Sequence, residues 1–139
     1  MLPAKPFEPL PEPGDIVYCR FPESLGRPGP KPRPALVIGL IKFADESAGV
    51  RVAYGTSQKV NTLESGEFAI TSADVAAYGL AGISYPTKFD LRNTQDLPYT
   101  EEWLRAPPAP AYGQTPKLGS LHVSLVRRVE AAFNAARRG

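Results

Sequence analysis

Hydrophobic and polar positions along the chain fall into short runs with two different periods. Over Gly14–Phe21, Ile16, Tyr18 and Arg20 alternate with Val17, Cys19 and Phe21, the period-two signature of a strand with at least one buried face. Ala35–Phe43 is almost continuously apolar and rich in branched side chains. Its length suits a central strand better than a helix. A polar turn at 44–49 separates it from the alternating segment 50–56, so the two read as a hairpin. Further strand patterns follow at 67–71, 87–91 and 117–122. Residues 72–80 read as one or two helical turns, with Ser72 as N-cap and Gly79 as stop. From Val123 the period lengthens: Val126, Val129, Ala132, Phe133 and Ala136 recur at helical spacing, with Arg127, Arg128, Glu130 and Arg137 off that stripe. Several short strands followed by one helix predict a mainly β (α+β) fold, a small antiparallel barrel closed by a C-terminal helix.

Proline sharpens the boundaries. The chain has 139 residues and 16 prolines, against an ordinary share of about 5%. They concentrate in 3–13, in 22–34 and around 107–110. Proline lacks the ladder donor, so these blocks mark arms and loops. Residues 1–13 read as an extended proline-rich arm and 14–139 as a single domain. Trp103, in the stretch 94–104, is expected to pack onto the barrel.

Charge excludes little. The net charge is +2, too small for a global field that would steer the protein onto nucleic acid. The cations cluster locally, with Arg27, Lys31 and Arg33 in one loop and Arg127, Arg128, Arg137 and Arg138 near the end. The last group reads first as a solvated helix face. One cysteine, Cys19, and one histidine, His122, allow no internal disulfide and no zinc site of ordinary composition. Cys19 reads as a packed core thiol suited to a reducing compartment. No apolar run approaches a membrane span, and the N-terminus lacks a signal-peptide pattern, so the expected location is the cytoplasm.

Three stretches carry candidate chemistry. They are Gly14-Asp15-Ile16-Val17, then Arg33-Pro34-Ala35-Leu36-Val37, then Thr56-Ser57-Gln58 at the end of the next strand. In this order and spacing they resemble the MazF/PemK toxins of bacterial type II toxin–antitoxin systems. The resemblance covers residues 14–60 best. It implies an SH3-like barrel, usually dimeric, that cleaves single-stranded RNA without a metal or other cofactor. It also implies inhibition by a cognate antitoxin, through which any contact with DNA is made, and no membrane association. The resemblance carries the arginine onto Arg33 and the strand-end threonine onto Thr56, with Ser57 and Gln58 in the polar positions that follow. Lys88-Phe89-Asp90 matches a later basic-x-aspartate.

The chemistry suits these residue types. RNA supplies its own nucleophile, the 2′-hydroxyl, so cleavage needs a base, an acid and fixed donors on the phosphorane-like transition state. Arg33, between Pro32 and Pro34, offers a planar, permanently charged fork held by a stiff backbone. Thr56 offers a compact hydroxyl after Gly55, which permits close backbone approach. Asp90 is the candidate general base among the matched positions. Lys31, Ser57, Gln58 and Lys88 are the candidate RNA contacts, with Tyr18, Tyr54 and Phe89 as aromatic contacts or core. His122, at the junction of strand and helix, reads as a capping or packing residue outside the site. Departures from the family pattern are the stiffer, more basic loop before Arg33 and a long segment at 92–116. The rival reading is a non-catalytic SH3-like binding module, or a degenerate toxin homologue that only binds a protein partner.

Overall fold

In the computed structural model, which describes residues 4–24 and 26–138, the apolar run after Arg33 is a ten-residue strand at the middle of one curled antiparallel sheet. The strands are β1 (Asp15–Cys19), β2 (Arg33–Lys42), β3 (Ala48–Thr56), β4 (Glu67–Ile70), β5 (Thr87–Pro98) and β6 (Lys117–Ser120). They pair in the order β4-β5-β3-β2-β1-β6. Register shifts at Val37/Gly39, Ala53/Tyr54 and Ile16/Val17 bend the strands and curl the sheet into a half-barrel. Helix α1 (Val75–Ala81) lies between β4 and β5, and α2 (Val126–Arg138) ends the chain. The architecture is the mainly β fold with a C-terminal helix that the periodicity predicts. Among the described residues no helix is long and apolar enough to cross a membrane.

The middle of the sheet is buried on both faces, which accounts for the apolar Ala35–Val37 at the start of β2, whereas Leu40 further along is about half exposed. On one face Ile16, Leu36, Ala53, Phe68, Phe89 and Leu91 pack with Ala77 and Ala81 of α1 and Leu125 and Ala132 of the C-terminal segment. On the other, Val17, Cys19, Val37, Val50, Val52 and Leu97 pack with Tyr99 and Leu104, and Phe7 and Trp103 lie against them. The segment after β5 is therefore a cover for the second face. Leu104 bridges to Cys19, Arg20 N–H donates to the Trp103 carbonyl at 2.8 Å and Arg105 N–H to that of Tyr18 at 3.0 Å. The N-terminal arm docks on the same cover: Phe7 N–H donates to the Tyr99 carbonyl at 3.0 Å and the two rings meet edge to face at 5.8 Å. Cys19 is fully enclosed, and burial pushes its thiol up to about 12, so it is inert at neutral pH.

Three expectations are corrected. First, the strand expected at 87–91 runs on to Pro98. Its second half is polar because it lies along β3 with Arg92, Asn93, Gln95 and Asp96 exposed. Arg51 clasps Asp96 across the pair with bonds of 2.7 and 2.9 Å. Second, the short helix has Asp74 rather than Ser72 at its N-cap and is stopped by Gly82 rather than Gly79. Gly82 adopts the left-handed conformation (φ 68°), and a Cβ there would overlap the Leu118 carbonyl, so only glycine can close the helix against β6. Third, the apolar stripe of α2 is only partly inward. Ala132 is buried and Val129 and Ala136 pack on the core, whereas Val126 and Phe133 remain substantially exposed. His122 behaves as expected, its Nδ1 accepting from Ser124 N–H at 3.1 Å at the start of the turn that leads into α2.

Arg128 is more than a solvated cation. It donates to the Ala69 carbonyl at 2.9 Å and to both carboxylate oxygens of Asp74 at 3.0 and 3.2 Å, tying α2 to the β4–α1 corner. The Arg128 guanidinium, followed by the Thr71 backbone N–H, holds the Asp74 carboxyl below the usual carboxylate range. A carboxyl depressed in the folded state contributes stability that is present above its unfolded pKa of about 3.9 and is lost as pH falls through the lower folded value. Asp74→Asn should therefore lower the melting temperature at about pH 6, with the difference from the parent protein shrinking as pH falls below the usual carboxylate range, as read by a thermal-melt series.

Candidate functional site

The open end of the β2–β3 hairpin brings the two leading sequence candidates together. The ladder's pair nearest this end is Ala35 opposite Tyr54. Arg33 and Thr56 each lie two residues beyond it, so the antiparallel register carries both to the same end. There they line one cavity of about 230 Å³ with Pro32, Pro34, Gly55 and Ser57. Tyr18 of β1, Leu118 of β6 and the α1–β5 connection with Ile83, Ser84 and Tyr85 complete its lining. Thr87, buried at 2%, lies at its base.

Gly55 is required here for a different reason from the one its sequence position suggests. A Cβ on it would overlap the Pro34 carbonyl and sit 2.9 Å from the Phe89 ring. The close approach it allows is between β2, β3 and the core beneath the cavity, so glycine sets the spacing of the strands that carry Arg33 and Thr56.

The polar groups are arranged unequally. Thr56 Oγ1 accepts the Gln58 backbone N–H at 3.1 Å. This turn fixes the hydroxyl oxygen and leaves its proton free to donate outward. The Arg33 side chain is about one-third exposed, and its guanidinium stands 3.9 Å from Glu23, whose carboxylate is more exposed still. A pair this open holds the guanidinium only weakly, so the fork can engage an anion. Glu23 is a residue that sequence reasoning passed over, because it lies in the proline-rich loop, ten positions ahead of Arg33. Its signal was its position as the acid nearest the arginine within that loop. Tyr85 was also missed. The sequence cue was Tyr-Pro following Gly-Ile-Ser, a turn whose exposed aromatic has no core to join.

The other candidates separate from this cluster. Lys31 is exposed on the approach to Arg33, Ser57 lines the cavity, and Gln58 is exposed at the turn. Asp90 does not line the cavity. It pairs with Tyr54, two residues back along β3 from Thr56, and its carboxylate accepts the Arg92 backbone N–H at 2.9 Å and Arg92 Nε at 3.2 Å. Lys88 is buried, with Nζ 3.0 Å from both the Thr62 carbonyl and Glu67, so its ammonium is spent inside the fold. Of the aromatic candidates, Tyr18 reaches the cavity. Tyr54 packs edge to face on Phe21 with centroids 5.2 Å apart, and Phe89 packs with Phe68 in the core. Among the described residues no three His, Cys, Asp or Glu side chains group as a metal site.

No protein-family model and no curated protein matches this chain.

The buried pair has a measurable consequence. Lys88→Met leaves the Glu67 carboxylate enclosed and unpaired, which costs about 3–5 kcal/mol. Lys88→Met combined with Glu67→Gln removes both charges and keeps an acceptor for the Glu64 N–H that Glu67 binds at 2.7 Å. Chemical denaturation should show the single variant strongly destabilised and the double variant restored by most of that difference.

Proposed function

We propose that this protein is a metal-independent endoribonuclease of the MazF/PemK toxin type, acting on single-stranded RNA. The observation that carries the reading is the meeting of Arg33 and Thr56 at one cavity, at the open end of the β2–β3 hairpin. These are two of the three residues, with Asp90, that the resemblance assigns to the reaction. On this reading the Arg33 fork holds the non-bridging oxygens of the scissile phosphate, and the free proton of the Thr56 hydroxyl adds a donor to the same group. Ser57, beside them, gives a second hydroxyl.

The reaction conserves atoms without a metal. The 2′-hydroxyl oxygen attacks the adjacent phosphorus and gives up its proton to a base. The bond from phosphorus to the 5′-oxygen breaks, and that oxygen takes up a proton as it leaves. The products are a 2′,3′-cyclic phosphate and a 5′-hydroxyl. Asp90 is held by Arg92; we assign the base to Glu23, which lines the neighbouring groove rather than the cavity itself but stands 3.9 Å from the Arg33 guanidinium. The partners on this reading are single-stranded RNA, a cognate antitoxin and a second copy of the chain, in the cytoplasm. DNA is reached only through the antitoxin.

Purified protein should cleave a mixed-sequence RNA in the presence of EDTA, leaving cyclic-phosphate ends. Arg33→Ala should lower the rate by about 10²–10³, the loss expected for one transition-state donor. Glu23→Gln should lower it while Asp90→Asn leaves it near the parent value. Intact RNA across a broad sequence panel, with retained binding of a protein partner, would favour a non-catalytic module instead.

A further inference from the structure

Tyr85 stands between two cavities. It lines the Arg33 cavity and also a neighbouring groove of about 730 Å³, and Ser57 is the other residue common to both. Tyr85 is 70% exposed, yet its backbone is held firmly. Pro86 follows it and confines it to extended conformations. The hydroxyl of buried Thr87 donates to its carbonyl at 2.8 Å. A large aromatic surface on a fixed backbone, facing solvent rather than core, is the form of a stacking platform.

The groove beyond it is polar and equally well supported. Lys59, Asn61, Thr62, Thr71 and Ser72 line it. Lys59 takes the left-handed conformation (φ 53°), uncommon for a residue with a side chain. The turn it makes is closed by Thr62 N–H donating to the Lys59 carbonyl at 3.1 Å. From below, Lys88 Nζ holds the Thr62 carbonyl at 3.0 Å. The buried lysine that sequence reasoning placed on RNA thus fastens the loop that shapes this groove.

We propose that the groove is a nucleotide subsite continuous with the Arg33 cavity. The base next to the phosphate at Arg33 stacks on Tyr85, Lys59 meets the following phosphate, and Asn61 and Ser72 present hydrogen-bonding groups to the base edge. This rests on the reading of the Arg33 cavity as a phosphate site. It names a single-stranded substrate, because a base must leave its own stack to lie on the ring.

The test is equilibrium binding of a fluorescein-labelled, mixed-sequence single-stranded RNA carrying 2′-fluoro groups, which cannot attack the phosphate, measured by anisotropy over a range of salt. Tyr85→Ala should weaken binding about tenfold with the salt slope unchanged. Tyr85→Phe should bind as the parent does. Lys59→Ala should reduce the salt slope by about one. If Arg33→Ala weakens binding while Tyr85→Ala does not, the phosphate site stands and the subsite is overturned. If the parent protein binds no RNA, both fall. A Tyr85→Ala variant with parental RNA affinity and an altered oligomeric state assigns the ring to a contact between protein copies and likewise overturns the subsite.

Discussion

Burial of the β2–β3 hairpin on both faces is the constraint on which the rest of the structure depends. Leu36 and Ala53 point into one core and Val37, Val50 and Val52 into the other. Each large apolar side chain so enclosed contributes about 1.5–3 kcal/mol relative to exposure, so neither face can be left to water. The two helices cover one side. The 99–104 segment, with the N-terminal arm laid over it, covers the other. The long segment at 92–116 thus supplies Leu97, Tyr99 and Leu104 to the second core.

That sandwiching also places the candidate chemistry. A hairpin clamped on both faces has little freedom in its interior, so its open end is a rigid edge from which the chain departs into loops. Arg33 and Thr56 occupy that edge, and Gly55 brings β2 close enough that nothing larger than hydrogen fits between the strand and Pro34. Preorganised donors are worth more to a charged transition state than mobile ones, because their reorganisation has already been met in folding. The charges near the edge divide accordingly. Lys88 and Glu67 neutralise each other within the fold, Asp90 is held by Arg92, and Arg33 keeps only an exposed, long contact with Glu23. Of these three paired cations, the one at the cavity has the longest ion pair.

Much of this was legible in the chain. Period-two alternation located β1 and β3, the branched apolar run located β2, and the change of period at Val123 located the C-terminal helical segment. Arg33 and Thr56 were legible as well, because a hairpin brings the start of one strand beside the end of the next. The polar half of β5 was not, since its exposed residues gain their place from pairing with β3, which leaves no apolar trace. Gly79 was the nearer stop signal for α1, but Gly82 ends it, because the closeness of β6 demands glycine there.

Local residue order by itself therefore determined the mainly β class, the hairpin and the two residues at its open end, all of which follow from periodicity and short-range geometry. Tertiary structure alone decided the roles of residues that meet across long stretches of chain. It buried Lys88 against Glu67, set Glu23 rather than Asp90 beside Arg33, and stood Tyr85 between two cavities. A charged or aromatic side chain reads alike in sequence whether it is a core pair or a free surface group. What distinguishes the two is how much water and which partners the fold leaves around it, and that depends on strands remote from it in the chain.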